Sequence, residues 1–137
     1  MKKLDLTNFK KAILSFKEML DRHQRENFED DAVRDSCIQR FEYCYDYSKK
    51  ILKRYLKSIA DDPMEIDNES LENLIRDAYT KGLTKHSWDV WDEYRDNRNK
   101  TSHGYDQEIA IAIVEQLPAF YSEIEFLLEA LISKDET

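Results

Sequence analysis

Glycine, proline and cysteine are scarce in this chain, which has two of each among its 137 residues. An all-β sandwich or barrel needs many tight turns, and those turns draw on residues that tolerate unusual backbone angles. The scarcity therefore excludes an all-β fold. The sequence also lacks any apolar run near the length of about 18 residues that a membrane span requires, so we expect no association with a membrane.

A secretory signal is also missing, because no apolar stretch follows Lys2 and Lys3. We therefore expect a cytoplasmic protein in which Cys37 and Cys44 stay reduced. The two cysteines lie seven residues apart on one predicted helical face. That spacing is typical of small buried apolar side chains rather than of a disulfide.

Enough apolar material is present for one buried core, since 41% of the residues are hydrophobic and 12% are aromatic. The length predicts a single domain over residues 1–137. The formal net charge of −8 argues against a broad nucleic-acid surface. It leaves room for a local phosphate site.

Apolar residues recur at alternating spacings of three and four, the pattern of amphipathic helices. The first predicted helix is capped by Thr7 or Asn8. The second, of about 28 residues, follows the acidic residues 29–31 and ends before Pro63. The predicted stripe of the first helix contains Leu6, Phe9, Ile13, Phe16, Leu20 and His23, and that of the second contains Cys37, Phe41, Cys44, Ser48, Ile51 and Tyr55.

Residues 61–69 are predicted to form a polar linker. A shorter helix follows, capped by Asn68 or Ser70 and ending near Gly82. Its inward residues are Leu71, Leu74, Ile75 and Ala78.

Ser87 is predicted to cap a fourth helix, which ends within residues 99–104. The last helix runs from about residue 106 to 132, and Pro118 is expected to kink or briefly break it. Short loops make neighbouring helices antiparallel. The predicted fold class is therefore all-α: an up-down antiparallel helical bundle of four main helices plus one short helix.

Charge is distributed unevenly along the chain. Residues 45–57 hold five basic side chains against one acid, whereas residues 106–137 hold eight acids against one lysine. The two segments could pair within the bundle or contact a partner protein. We expect the lysines from Lys49 to Lys57 to form a solvated face, with RNA or partner docking as the alternative.

Arg98 is the most informative polar residue, because it continues a helical stripe that begins with Trp88 and Trp91. A guanidinium there is partly desolvated and needs an anion or a carboxylate beside it. His103 and Tyr105 follow at the next helix corner, where a helix N-terminus adds backbone donors. Together these groups could handle a phosphoryl group without a metal. The alternative is that the arginine and histidine only cap helices.

The segment from Arg98 to Tyr105, R-N-K-T-S-H-G-Y, resembles the R-x4-6-H motif of the HEPN superfamily. It is more narrowly similar to the R-N-x-T-S-H-x-Y form of nucleotidyltransferase substrate-binding proteins and HepT-type toxins. The order of helices, the tryptophan-rich helix before the motif and the long last helix also fit. The resemblance therefore spans essentially the whole chain.

That resemblance implies metal-independent RNA cleavage. His103 would be the general acid or base at the ribose 2′-hydroxyl, Arg98 would stabilise charge in the transition state, and Asn99 would orient the phosphate. In the toxin branch, the tyrosine that matches Tyr105 is the one to which the cognate nucleotidyltransferase attaches nucleotides. HEPN-like proteins usually place two motifs across a two-fold groove, so we expect a homodimer.

Three functional hypotheses follow. The chain is a HEPN-type partner of a minimal nucleotidyltransferase with RNase activity, a non-catalytic subunit that presents substrate to that enzyme, or a plain helical interaction module. No cofactor and no metal is expected, because no set of metal ligands has suitable spacing. His23 is expected to lie in or beside the core, His86 in the turn before the fourth helix, and Trp88 and Trp91 in the core.

Overall fold

The computed structural model describes residues 4–102, 104 and 106–135, and these form six helices and no strand. The predicted all-α class is confirmed. The helices are α1 (Thr7–Arg25), α2 (Asp31–Ile59), α3 (Pro63–Asp67), α4 (Leu71–Thr80), α5 (Trp88–Thr101) and α6 (Gln107–Asp135).

The first two helices begin at carboxylates. Asp5 accepts a hydrogen bond from the backbone N–H of Thr7 at 3.0 Å, so the predicted cap by Thr7 or Asn8 is wrong. Asp30 accepts from the N–H groups of Ala32 and Val33 at the start of α2. That helix has 29 residues and ends before Pro63, as predicted.

The predicted caps of α4 and α5 have different outcomes. The Ser70 hydroxyl accepts from the N–H of Asn73 at 3.2 Å, which confirms one of the two predicted caps of α4. Gly82 follows that helix with φ +77°, a backbone angle that favours glycine. Ser87 directly precedes α5, but its side chain makes no capping hydrogen bond.

The predicted polar linker over residues 61–69 is not a linker throughout, because the helix α3 forms there with Pro63 in its first turn. Asp67 at the end of α3 pairs with Lys57 at 3.0 Å and with Lys53 at 3.7 Å. These lysines are therefore tied to a neighbouring helix, and the expectation of a freely solvated basic face is only partly met.

The four long helices α1, α2, α5 and α6 surround an aromatic core centred on Phe120. Its ring meets that of Phe41 at a centroid distance of 4.9 Å and that of Tyr94 at 5.0 Å. Helix α6 continues without interruption through Pro118, so the alternative of a short break at this residue does not occur. Within the described part of the chain, no helix is long and apolar enough to cross a membrane.

Candidate functional site

Arg98 lies in the last turns of α5 and faces α2. Its Nε and Nη2 donate to Asp46 Oδ1 and Oδ2 at 3.1 and 3.0 Å, a two-point contact. Its Nη1 lies 3.2 Å from Oε2 of Glu42, one turn earlier on α2. The Arg98 side chain is 22% exposed. The partly desolvated guanidinium therefore has its counter-charges within the chain.

Two hydroxyl groups of the same corner complete the surroundings of the guanidinium. Nη1 of Arg98 also donates to Thr101 Oγ1 and Ser102 Oγ, both at 3.2 Å. Each hydroxyl in turn donates to the Arg98 carbonyl oxygen. The end of α5 and the orientation of its arginine are thus fixed by one set of hydrogen bonds.

The contacts of the cluster shift the pKa values of Arg98 and Glu42. The hydrogen bond to Asp46 raises the pKa of Arg98. Burial raises the pKa of Glu42, and this outweighs the opposing effect of Arg98. Two carboxylates against one guanidinium leave a local charge of about −1 when both acids are ionised. An incoming phosphate therefore meets an arginine that is already neutralised.

The other predicted site residues are placed unequally. Asn99 follows Arg98 on α5, and its exposed side chain makes no hydrogen bond with the residues the structure describes. His103 and Tyr105 lie outside the described residues. Gly104, which separates them, has φ +79°. That backbone angle lies in the left-handed region that favours glycine.

The sequence pattern did not identify Asp46 and Glu42 as partners of Arg98. Their spacing of four places them on one face of α2, but that pattern alone does not show which cation faces them. It also missed Asn97, which is 5% exposed and donates to the Gln116 side chain of α6 at 2.9 Å. The only signal for Asn97 in the sequence was a polar side chain directly before Arg98.

A second polar cluster surrounds Glu123, a fully buried carboxylate of α6. Its Oε2 accepts from the N–H groups of Lys85 at 2.6 Å and of His86 at 3.2 Å. Its Oε1 lies 2.9 Å from His86 Nδ1 and 3.2 Å from the Tyr94 hydroxyl. Burial and Glu123 together raise the pKa of Tyr94. This cluster anchors the segment between α4 and α5, where His86 was predicted to lie.

The signal for Glu123 was present in the sequence, because it is an acid among the apolar residues of α6. It lies between Phe120 and Leu127, directly before Ile124. A carboxylate at such a position must be hydrogen-bonded when buried.

The remaining candidates have structural surroundings. Trp91 is fully buried, as predicted, whereas Trp88 is half-buried beneath the Arg95 guanidinium at 5.2 Å. His23 is 3% exposed. Cys37 and Cys44 are buried free thiols, which confirms their predicted place in the core.

Residues 4–133 match the model of a protein family described as nucleotidyltransferase substrate binding protein like. A Haemophilus influenzae protein named probable ribonuclease HepT is 39% identical over 99 residues, which are 72% of this chain and 67% of that protein.

Two solved structures are similar to this fold. One is a Haemophilus influenzae protein described as showing the fold of a substrate binding domain of a nucleotidyltransferase. It has a TM-score of 0.86 and 34% identity, with 93% of this chain and 98% of the other covered. The second, from Thermus thermophilus, has a TM-score of 0.63 and 28% identity over 94% of this chain and 99% of the other.

Proposed function

The chain belongs to the family of nucleotidyltransferase substrate binding protein-like proteins, and from that premise we propose that it is the helical partner of a separate minimal nucleotidyltransferase and cleaves RNA at Arg98 and His103. The observation that carries the cleavage proposal is the half-buried Arg98, held by the two-point contact to Asp46 at the corner that leads to His103. The similarity to a protein named probable ribonuclease HepT supports it.

The proposed reaction needs no metal. The ribose 2′-oxygen attacks the adjacent phosphorus while the bond to the 5′-oxygen of the next nucleotide breaks. His103 moves a proton from the 2′-hydroxyl or to the leaving oxygen, and Arg98 stabilises the negative charge that gathers on the phosphate oxygens. Asn99 is proposed to orient the phosphate. The products are a 2′,3′-cyclic phosphate and a 5′-hydroxyl end.

The two acids of the Arg98 cluster are proposed to differ in role. Asp46 grips the guanidinium through two nitrogens and so acts as a positioning residue. Glu42 reaches only Nη1, which it shares with two hydroxyls, and its pKa is raised by burial. The substrate phosphate would therefore replace Glu42 and leave Asp46 in place.

An RNA cleavage assay in EDTA tests the proposal. We expect cyclic-phosphate products, and rates lowered by about a hundredfold or more in both Arg98→Ala and His103→Ala, as expected for loss of a charge-stabilising or an acid–base group. Arg95→Ala is the matched control, because Arg95 is exposed on the same helix, where it pairs with Asp92 and lies over the Trp88 ring. Cleavage that persists in both site variants would show that another nuclease is responsible.

A second candidate function is a non-catalytic subunit that presents substrate to the nucleotidyltransferase. The observation that favours it is the neutralisation of Arg98 by two carboxylates. The described role of the similar Haemophilus structure agrees with it. A tight complex with a nucleotidyltransferase and no cleavage of RNA would select this candidate. Failure to co-purify with such an enzyme would contradict both and leave a plain interaction module.

Tyr105 is proposed to lie at the contact with the nucleotidyltransferase. Its hydroxyl oxygen would attack the α-phosphorus of ATP, releasing pyrophosphate and a proton and leaving an AMP ester. The added negative charge would pair with Arg98, and the added bulk would block the access of RNA to the site. Intact masses after incubation with the partner, ATP and magnesium test this step. We expect an added AMP that is absent in Tyr105→Phe; a tight complex without added mass would contradict it.

We also propose a symmetric homodimer that brings two copies of the motif across one groove. Light scattering at tens of micromolar (an order-of-magnitude choice for weak association) is expected to give twice the mass of the chain. A monomer at that concentration would contradict the dimer.

A further inference from the structure

A cavity of about 880 Å³ lies between α1 and α6, at the end of the bundle where α2 begins. None of its lining residues belongs to α5, so it is separate from the Arg98 cluster, which lies between α5 and α2. Its volume is within the range of small-molecule sites in proteins. Its apolar walls are formed by Leu20, Phe28, Ile111, Val114, Pro118 and Tyr121.

Two buried polar atoms at this end of α1 have no hydrogen-bond partner among the residues that the structure describes. His23 lines the cavity, is 3% exposed, and its Nδ1 makes no hydrogen bond. Glu26, one turn further along, has a buried Oε2 without a partner. Burial, together with nearby Arg34, lowers the pKa of His23, so the imidazole is neutral at pH 7 and has one nitrogen that accepts. Buried polar atoms of native proteins are nearly always satisfied. Glu26 Oε2, and His23 Nδ1 in the tautomer that carries its proton on Nε2, therefore lack a donor.

The corner that borders the cavity has an unusual backbone. Asn27 and Phe28 adopt φ values of 56° and 61°, the left-handed region that favours glycine. Strain of this kind persists where the surroundings fix it, often at binding sites. Here it places the Phe28 ring edge-on to His23 at a centroid distance of 5.2 Å while 65% of Phe28 remains exposed. The Phe28 ring thus forms an aromatic wall of the cavity that solvent can reach.

The charges of the lining favour a cation. Lys17 pairs with Asp21 at 3.4 Å, and Arg34 pairs with Asp31 at 3.2 Å, so both cations of the lining are neutralised. The other two acids of the lining have no ion pair among the described residues, and they are Glu29 and Glu115. Tyr121 already carries the Lys17 ammonium 5.9 Å from its ring centroid, so its ring faces a positive charge.

We propose that this cavity is a binding site for a small organic cation with a flat apolar body and a protonated amine. The body would lie among the aliphatic walls and against Phe28, and the ammonium would donate to the unpaired carboxylates and the neutral imidazole. The site is separate from the proposed RNA cleavage at Arg98, so neither depends on the other.

A titration followed by amide NMR shifts tests the site, with tryptamine as the probe and indole-3-acetate as the probe of opposite charge. We expect tryptamine to shift the amides of Leu20, Val114 and Tyr121 with a Kd of about 1 mM, as for a fragment of this size. Indole-3-acetate is expected to bind at least about tenfold more weakly, because it meets unpaired carboxylates. Equal binding of the two probes, or shifts centred elsewhere, would overturn the proposal.

Two pairs of variants locate the binding. Val114→Trp fills the cavity and should abolish the shifts, whereas Ala112→Trp adds the same ring to an exposed position of α6 outside the lining. Glu115→Gln should weaken tryptamine by about threefold or more, whereas Glu108→Gln should not. If Val114→Trp turns a dimer into a monomer and tryptamine shifts nothing, a second copy covers the cavity and the proposal is wrong.

Discussion

Helix α5 takes part in two polar clusters that hold their charged groups in different ways. Tyr94, in the middle of α5, and the segment before the helix direct four hydrogen bonds to the fully buried Glu123, two of them from backbone N–H groups. Near the end of α5, Arg98 is 22% exposed and faces the carboxylates of Glu42 and Asp46. One charge is held mainly by fixed dipoles, and the other by opposite charges.

The difference separates an anchor from a site. Backbone N–H groups cannot turn away without unfolding the segment that carries them. Glu123 therefore keeps these hydrogen bonds as long as that segment is folded. Side-chain carboxylates can rotate into solvent, and the carboxylates of Glu42 and Asp46 are 29% and 46% exposed. An anion can therefore take the place of a carboxylate at Arg98, whereas the backbone donors of Glu123 stay in place.

The largest effect is expected from Glu123→Ala, which leaves two partly buried N–H groups and the buried Tyr94 hydroxyl without an acceptor. We expect the free energy of unfolding, measured in urea, to fall by about 3 kcal/mol or more. Glu129→Ala on the exposed face of the same helix should change it by less than about 0.5 kcal/mol. Equal effects of the two substitutions would show that the buried network has no special weight.

An intermediate effect is expected from Asp46→Asn, which weakens the two-point grip on Arg98. Stability should fall by about 1 kcal/mol, since Asp46 is well exposed. If Arg98 cleaves RNA, the rate should fall by about tenfold, because the guanidinium is no longer oriented. Asp92→Asn, which removes the carboxylate partner of Arg95, is the control. A loss of stability larger than that of Glu123→Ala would reverse the comparison.

The smallest effect is expected from Glu42→Gln, and it depends on pH. Burial raises the pKa of Glu42 above its ordinary value of 4.5, so ionisation of this group costs stability as pH rises through the raised pKa. The glutamine avoids that cost. The variant should therefore be more stable than the original chain at pH 7 and equally stable at pH 4. Urea unfolding at both values measures it; a gain at pH 4 would contradict the assignment.

The fold was largely predictable because its signals are local. The spacing of apolar residues determined α1 and α2, and Ser70 and Gly82 marked the two ends of α4. The short helix α3 was missed because its five residues form no apolar stripe, although Asp62 caps its start and Pro63 occupies its first turn.

The site was predictable only in part, for the same reason. Arg98 stood out because it ends a stripe of aromatic residues, and that position required a counter-charge. Which counter-charge it finds depends on the packing of α5 against α2, over a separation of 52 residues between Arg98 and Asp46. The bonds of Glu123 to Lys85 and His86 also join residues far apart along the chain. Spacing within one helix does not determine such contacts.

The two buried cysteines report how often the helical bundle opens. Burial raises the pKa of Cys37 to about 11 and that of Cys44 to about 12, so neither thiol ionises at neutral pH while the helices are packed. Cys44 also lies on the seam between α2 and α1, with Sγ 3.5 Å from the Ala12 carbonyl oxygen. An alkylating reagent reaches Cys44 when α1 separates from α2. The rate of alkylation in native buffer consequently measures how often that seam opens, without any substitution in the chain.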